Sequence, residues 1–513
     1  MSQRENLSFA ASAGTDTEIA LGEASGGAPM TAPAGPTVPT QDGAIGDLTA
    51  DNPRLLRRRV LILALPVLGE QILNTFVAWN DTYLAGHLNV SATAAVGFSA
   101  YVSWLVAMLF ALVGVGATAI VARAIGAGNH DEARRATNQA ITLSFFMGLI
   151  ATVGIPLAAP HLAGWLSPSA ETHRDATRFM RIEAIAYLIE SFTFVAAACL
   201  RGAGDTRTPM LVLGVVNLVN MAASWFCAFR LNDPPAWLKS IGVHAVGLGL
   251  GCDGIAWGTA TARFVGGFVM LAVMLRGRAN LQLVLAHLRP VPAMLWRIVR
   301  IGGPAAIDGL LMWCGHLVFL RIISRSGEAL GVTTDTMVAA HIVGVRIESL
   351  SYLPAVAWAT AAATLVGQHL GAGRPDRSTR SAHEAAKQAA LLLAFMSLIL
   401  LLFPAACYSF LTNDEAVVRV GAPALRIQAL IQPALGMLIV YMWSLRGAGD
   451  TTYPMLITII GMVGLRIPLS YLGGIVLRGG LIGAWVGMNA DLLVRAALMT
   501  LRFRSGQWAL KRV

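Results

Sequence analysis

The chain has 513 residues, of which 56% are hydrophobic and only 13% are charged, about half the charged share of an ordinary soluble domain. This composition excludes a soluble globular protein and indicates an integral membrane protein. A net charge of +10 would suggest nucleic acid as the partner of a soluble protein. Here the basic residues lie in short loops between apolar segments, a pattern that orients a membrane protein, so the expected partner is a lipid bilayer and no nucleic acid.

Residues 1–52 are rich in Ala, Gly, Pro, Ser and Thr and contain no apolar core, which is typical of a disordered extension. No cleavable signal peptide is expected, because the first apolar run begins near Val60 and is too long. The five cysteines are widely spaced along the chain, so neither a disulfide framework nor a metal cluster is predicted. No metal and no cofactor are therefore expected.

Apolar segments long enough to cross a hydrocarbon core of about 30 Å follow in succession along the rest of the chain. Twelve such segments begin near Val60, Ala95, Ala136, Phe179, Met210, Gly254, Ile298, Met337, Ala385, Val420, Met455 and Leu481. Arginines are concentrated in alternate loops between them. This bias predicts a multi-pass protein of the inner membrane with both termini in the cytoplasm.

The segment LRGAGDTRTPM at 200–210 returns as LRGAGDTTYPM at 445–455, an offset of 245 residues. The same offset aligns the GAG of 126–128 with that of 371–373, and an offset of 238 aligns Glu70 with Asp308. Six spans per half predict two parallel lobes around a central cavity. We expect an N-lobe over residues 53–275, a cytoplasmic linker over 276–297 and a C-lobe over 298–513.

The repeated motif lacks the lysine that a Walker A phosphate loop requires. Its glycines suit a tight turn, and Asp205 or Asp450 suits the cap of the helix that follows. Arg201 and Arg446 are expected at the carbonyl ends of the preceding helices. The favoured interpretation is a structural corner, with a ligand site as the alternative. No constellation of nucleophile and base is found, so an enzyme is not expected.

Ionisable residues inside membrane spans cost at least about 2.5 to 3.5 kcal/mol, so they are candidates for function. In span one, Glu70, Asn74 and Asp81 share a helical face, which predicts a polar stripe lining the cavity. Because burial disfavours the charged form of a carboxyl group, Asp81 and Glu70 are the candidates for H⁺ exchange. For each, a structural hydrogen bond is the alternative.

Further polar residues are predicted to line the cavity or to tie helices together: Asn80, Asn217, Asn220, Asp308, His316, Arg346 and Glu348. Three residues of span four, Glu183, Tyr187 and Glu190, form another polar stripe. Four embedded charges are expected to be structural, paired within their lobes: Arg263, Arg466, Asp491 and Arg495. The two halves also differ, because Asp81 is aligned with Phe319 at the offset of the first span.

In the order and spacing of its motifs the chain resembles the multidrug and toxic compound extrusion (MATE) family. LRGAGDT follows spans four and ten, IGAGNHDEA follows span two and VGQHLGAGRPDRS follows span eight. The similarity covers about residues 55–505. It implies a secondary antiporter that expels small organic compounds, often cationic or amphipathic, while H⁺ or Na⁺ enters. The family's embedded aspartate of span one is matched by Asp81 in VAWNDTYLAGHL.

Departures from the family pattern bear on the coupling ion. Some members carry an Asn and an Asp one turn apart in span five, and here Asn217 matches the first while Met221, next to Asn220, occupies the second. The carboxylates of the Na⁺-binding branch correspond to Trp313 and Leu435. These positions favour the branch that resembles the DNA-damage-inducible protein F, which is expected to be H⁺-coupled. A monomer is expected. The alternatives are a Na⁺-coupled drug exporter and a lipid-linked sugar flippase.

Overall fold

The computed structural model describes residues 52–166, 169–231, 246–327 and 330–511. The extension predicted at 1–52 lies outside the described residues except for Asn52, whose side chain accepts a hydrogen bond from the backbone N–H of Arg54 at 2.9 Å and caps the first helix. In the described ranges the regular structure is helical, with isolated bridges that join Leu231 to Val246 and Arg278 to Leu281.

The helices that precede residue 277 form the N-lobe. In chain order they are α1 (Pro53–Gly86), α2 (Val90–Gly126), α3 (His130–Leu166), α4 (Ala170–Ala184), α5 (Tyr187–Gly202), α6 (Arg207–Ala228) and α7 (Cys252–Arg276). Helices α4 and α5 meet at an angle of 56° and together make one bent span.

The helices from residue 292 onward form the C-lobe. They are α8 (Pro292–Ser326), α9 (Thr334–Gly371), α10 (Pro375–Leu402), α11 (Pro404–Ser409), α12 (Glu415–Gly447), α13 (Thr452–Ile459), α14 (Ile467–Tyr471) and α15 (Gly480–Arg504). Two π-helical segments, Ile460–Arg466 and Leu472–Val476, continue α13 and α14 into a single span. Helix α8 begins before position 297, where the linker was expected to end.

Within the described ranges, eleven helical segments are long and apolar enough to cross a membrane, or twelve when α4 and α5 count as one. The predicted all-α membrane fold with twelve spans is thereby confirmed. Because successive spans alternate in direction, the two LRGAGDT turns, after α5 and after α12, lie on the same face of the membrane as the start of α1. We call this face the motif side.

At the motif side, α2 and α9 cross with their backbones in contact. A Cβ atom on Gly126 would lie 1.9 Å from the carbonyl oxygen of Gln368, and one on Gly371 would lie 1.9 Å from the carbonyl oxygen of Arg123. The two contacts are related by the offset of the internal repeat. Since no side chain fits, glycine is required at both positions, and the lobes meet as a symmetric pair.

The repeated motif takes part in this closure. Thr364 Oγ1 donates to the carbonyl of Arg201 at 2.9 Å, and Gln368 Nε2 donates to the carbonyl of Gly202 at 3.1 Å. In the other copy, Arg123 Nη2 donates to the carbonyl of Ala448 at 3.5 Å. The carbonyl of Arg201 also accepts from the backbone N–H of Gly204 at 2.9 Å, and a carbonyl oxygen can accept a second hydrogen bond. Each motif therefore offers acceptors to the opposite lobe and helps to seal the motif side.

The two copies use their aspartates differently. Asp205 accepts from the backbone N–H groups of Arg207 at 3.1 Å and Thr208 at 3.0 Å, which confirms the predicted cap of α6. Asp450 instead accepts two bonds from Arg502 at the end of α15, at 3.0 and 2.8 Å. Asp205 also accepts from Arg278 Nε, just after α7, at 2.9 Å. Both aspartates therefore bind an arginine near the end of the last helix of their lobe, and Asp205 in addition caps α6.

Candidate functional site

A cavity of about 1650 Å³ lies between the lobes. Its N-lobe wall comes from α1, α2 and α4 to α7, and its C-lobe wall from α9, α10, α11 and the residues beside α11. The lining reaches Tyr83 near the end of α1 and Phe410 after α11, both on the face opposite the motif side. The volume exceeds the roughly 300 to 1,000 Å³ of ordinary small-molecule pockets, so large organic molecules fit.

Asp81 of α1 is buried in the N-lobe wall, with 9% of its surface exposed. Its Oδ2 accepts a hydrogen bond from Thr259 Oγ1 of α7 at 3.0 Å. Thr259 in turn accepts from Asn220 Nδ2 of α6 at 3.0 Å, and Asn220 Oδ1 accepts from Asn80 Nδ2 at 3.1 Å. Three helices therefore hold one carboxyl group through a continuous chain of hydrogen bonds.

Arg263 follows Thr259 by one turn of α7 and faces the same way. Its guanidinium lies 3.2 Å from Glu183 Oε1 of α4 and 3.2 Å from Glu190 Oε2 of α5. Glu183 also accepts a hydrogen bond from Ser103 of α2 at 3.1 Å. Helix α7 thus joins Asp81 to two further carboxyl groups in one polar group, which we call the N-lobe cluster.

The N-lobe cluster contains three carboxyl groups, of Asp81, Glu183 and Glu190, and one guanidinium, of Arg263. All four line the cavity. If every group were ionised, two negative charges would stay uncompensated, and uncompensated charge in a poorly solvated wall is costly. A proton or an organic cation that enters the cavity reduces this excess, so the geometry suits the exchange of one for the other.

Two ion pairs occupy equivalent places in the lobes. Glu70 of α1 binds Arg201 at the end of α5 at 2.8 Å, and Asp308 of α8 binds Arg446 at the end of α12. Arg201 and Arg446 were expected to meet helix carbonyl ends. Their side chains instead bind the carboxylate on the first helix of their own lobe. Glu70 and Arg201 line the cavity, whereas Asp308 and Arg446 lie outside its lining.

The remaining predicted residues separate into two groups. Asn74, Asn220 and Arg346 line the cavity, and Arg346 is exposed there. Five lie outside the lining, some of them within helix packing: Asn80, Asn217, Asp308, His316 and Glu348. Among them, Asn217 is buried and donates to the backbone carbonyl of Leu213 on its own helix at 2.9 Å.

The C-lobe has a polar interior of its own. Asp491 of α15 accepts from Arg466 at 2.8 Å and from Arg495 at 2.7 Å, and Glu348 accepts from Gln428. Nearby, His341 accepts from Trp485 at 3.2 Å. All these side chains are buried, and none belongs to the cavity lining described for this chain. We call them the C-lobe cluster.

Sequence reasoning did not single out Thr259 or Ser103, and it placed Arg263 among the structural charges. Arg263 does pair within its lobe, yet its side chain also lines the cavity beside the N-lobe cluster. The spacing of Thr259 and Arg263 by four residues was an available signal, because it puts a hydroxyl and a cation on one face of a membrane helix.

Two parallel helical lobes that enclose a cavity and meet at one membrane face are the architecture of many secondary transporters. The MatE family model matches residues 66–226 and 304–472, more than half of the chain. The chain therefore belongs to the MATE family of multidrug efflux transporters and is a membrane transporter rather than an enzyme.

Individual relatives agree with this assignment. The probable multidrug resistance protein NorM of Thermotoga maritima is 30% identical over 453 residues, which cover 88% of this chain and 93% of the relative. A MOP superfamily transporter from Pyrococcus furiosus superposes with a TM-score of 0.80 at 20% identity, over 91% of this chain and 99% of the other. An outward-facing multidrug resistance MATE family transporter superposes with a TM-score of 0.77 at 20% identity, over 90% and 98%. The two superpositions confirm the fold.

Proposed function

We propose that the chain exports small organic cations or amphipathic cations across the inner membrane in exchange for H⁺. The observation that carries the proposal is the excess of carboxyl groups in the N-lobe cluster, where Asp81, Glu183 and Glu190 share Arg263. A site with surplus negative charge binds either protons or a cation. Competition between the two couples their opposite movements, because a ligand shifts the equilibrium between states only through its differential affinity for them.

Asp81 is the proposed coupling residue. Its partner Thr259 lies 3.0 Å away and donates a hydrogen bond, whereas Glu70 is compensated by Arg201. Glu70 is therefore a weaker candidate than Asp81, although both line the cavity. The Thr259 hydroxyl can donate to the ionised carboxyl group of Asp81 and accept from the protonated one, so it can serve both states. Coupling to Na⁺ is the alternative, and it would require several oxygen ligands around the bound ion.

We propose further that the motif side is cytoplasmic, because the arginine bias of the loops places it there. The described conformation is then closed toward the cytoplasm and extends its cavity toward the outside. Residues 53–275 and 298–513 act as the two moving lobes in one monomer, with residues 276–297 as their linker. In this state a substrate leaves to the outside and a proton enters the N-lobe cluster.

The proposal is tested with purified protein in vesicles that carry either a pH gradient or a Na⁺ gradient. We expect transport of a fluorescent organic cation when a pH gradient is imposed and no transport when only a Na⁺ gradient is imposed. Asp81→Asn removes the exchangeable proton but keeps the size of the side chain, and it should abolish this movement. Asp335→Asn is the matched control, since Asp335 is exposed at the start of α9.

The outcomes separate the alternatives. Transport that follows the Na⁺ gradient would establish the Na⁺-coupled exporter. Normal transport by Asp81→Asn would exclude Asp81 as the coupling residue. Transport of a lipid-linked sugar without any cation export would favour the flippase, for which a cationic cavity is expected rather than the acidic N-lobe cluster.

A further inference from the structure

The two walls of the cavity differ in charge. On the N-lobe side, the carboxyl groups of Glu70, Asp81, Glu183 and Glu190 outnumber the guanidinium groups of Arg201 and Arg263. On the C-lobe side, the described lining residues are mainly apolar, and the one charged side chain among them is Arg346 of α9. The cavity therefore has an acidic wall and, across from it, an isolated cation on an apolar wall.

Arg346 has no compensating partner among the described residues. Its side chain takes part in no salt bridge or side-chain hydrogen bond there, and it is exposed to the cavity. Glu348, two positions along the same helix, points elsewhere and accepts from Gln428 inside the C-lobe cluster. The other two arginines in the described cavity lining are paired: Arg201 with Glu70, and Arg263 with Glu183.

An unpaired arginine within a membrane span is costly, and such a residue marks a functional site by default. A guanidinium presents a planar set of donors that matches a carboxylate with two parallel hydrogen bonds. The surrounding wall offers apolar contacts from Ile347, Leu350, Met396 and Phe403. These features together form a subsite for an anionic group attached to an apolar body.

We propose that Arg346 is the anion subsite of the cavity, and that the transporter accepts zwitterions whose cationic group binds the N-lobe cluster and whose carboxylate binds Arg346. This inference rests on the proposed export of organic cations and narrows its substrate class. A substrate of this kind compensates both walls at once. A simple cation compensates only the acidic wall and leaves Arg346 unpaired.

The test compares two dyes that differ in one ester group. Rhodamine B carries a cationic ring system and a free carboxylate, and rhodamine B ethyl ester carries the same cation without the anion. Export of both is measured from vesicles for the wild type, Arg346→Gln and Arg346→Lys. We expect Arg346→Gln to raise the KM for rhodamine B at least about tenfold, the size of one lost charge-assisted interaction. The KM for the ester should not rise, because the ester has no carboxylate to lose a partner and the variant removes a cation that repels it.

Arg346→Lys keeps the charge but loses the fork of donors, so an intermediate KM for rhodamine B is expected. Arg321→Gln is the matched control, because it removes an exposed arginine of α8 that lies outside the cavity lining. Export of the ester by Arg346→Gln also shows that this variant is folded.

Three results would overturn the inference. The first is that the wild type exports the ester but not rhodamine B. The second is that Arg346→Gln exports rhodamine B with an unchanged KM. The third is that Arg346→Gln loses both dyes while Arg346→Lys restores neither, which would make Arg346 a structural residue. If the wild type exports neither dye, the proposed function itself fails and the inference falls with it.

Discussion

The two lobes share one fold but differ in where their buried charges lie. The N-lobe cluster lines the cavity, and its carboxyl groups outnumber its single guanidinium. In the C-lobe cluster, Arg466 and Arg495 are paired with Asp491 and buried away from that lining. The features that close the molecule are common to both halves, whereas the carboxyl groups proposed for exchange lie in one lobe.

The largest effect is expected at the symmetric crossing of α2 and α9. Gly126→Ala and Gly371→Ala each place a methyl group against the backbone of the other lobe. Overpacking of about 3 kcal/mol would reduce the population of the closed state more than about a hundredfold. Both variants should therefore lose export to the same extent, because this feature is common to the two halves.

This prediction is measured as a distance between spin labels at positions 131 and 376, which are exposed and equivalent in the two halves. We expect a longer distance at the motif side in both variants. Gly303→Ala is the control, since a Cβ atom there meets nothing within 4 Å. A short distance in either glycine variant, together with normal export, would show that the crossing does not control closure.

The next largest effect distinguishes the two equivalent ion pairs. Arg201→Gln leaves Glu70 without its partner, and Arg446→Gln does the same to Asp308. Each should destabilise the protein by about 2 to 3 kcal/mol, because an uncompensated charge is left in a poorly solvated place. Only Arg201→Gln should also change the KM for an organic cation, since only that pair lines the cavity.

Thermal unfolding in detergent and export from vesicles measure the two effects separately. A change in KM for Arg446→Gln equal to that for Arg201→Gln would contradict the division of labour between the lobes. Such a result would mean that both lobes contact the substrate.

The sequence predicted the spans and the repeat but not the spatial partners of the embedded charges. Span length follows from the thickness of the bilayer, and the cost of an embedded carboxyl group identified Asp81 as a candidate. The position of Asn220 beside Thr259, with Asn217 directed at its own helix instead, depends on how α6 is rotated against α7. Packing of small residues between helices determines that rotation, and no local motif encodes it.

A smaller effect is expected from Thr259→Val, which keeps the shape of the side chain and removes the hydroxyl that donates to Asp81. Loss of a hydrogen bond to a charged group should lower proton-driven export about tenfold. Thr360→Val is the control, because the Thr360 hydroxyl bonds to the backbone of its own helix at 2.9 Å. Equal export rates for the two variants would exclude Thr259 from the coupling site.

The smallest effect concerns the aspartates of the repeated motif. Asp205 lies in the turn between α5 and α6, where burial alone would raise its pKa. Hydrogen bonds from Thr208 and from Arg278 outweigh burial and hold the pKa of this carboxyl group below its ordinary value. A group with a lowered pKa stabilises the fold above its unfolded value, about 4, and loses that contribution as the pH falls through the folded value.

Asp205→Asn keeps the cap of α6, because asparagine is also a good capping residue, but it loses the ion pair with the half-exposed Arg278. We expect a loss of at most about 1 kcal/mol at neutral pH, which disappears as the pH falls through the lowered pKa of the wild-type carboxyl group. Asp450→Asn should cost more, because Asp450 is buried and accepts two bonds from the buried Arg502. Unfolding curves of both variants at several pH values test this order, and a larger loss for Asp205→Asn would mean that the ion pair with Arg278 stabilises the fold more than the bonds between Asp450 and Arg502.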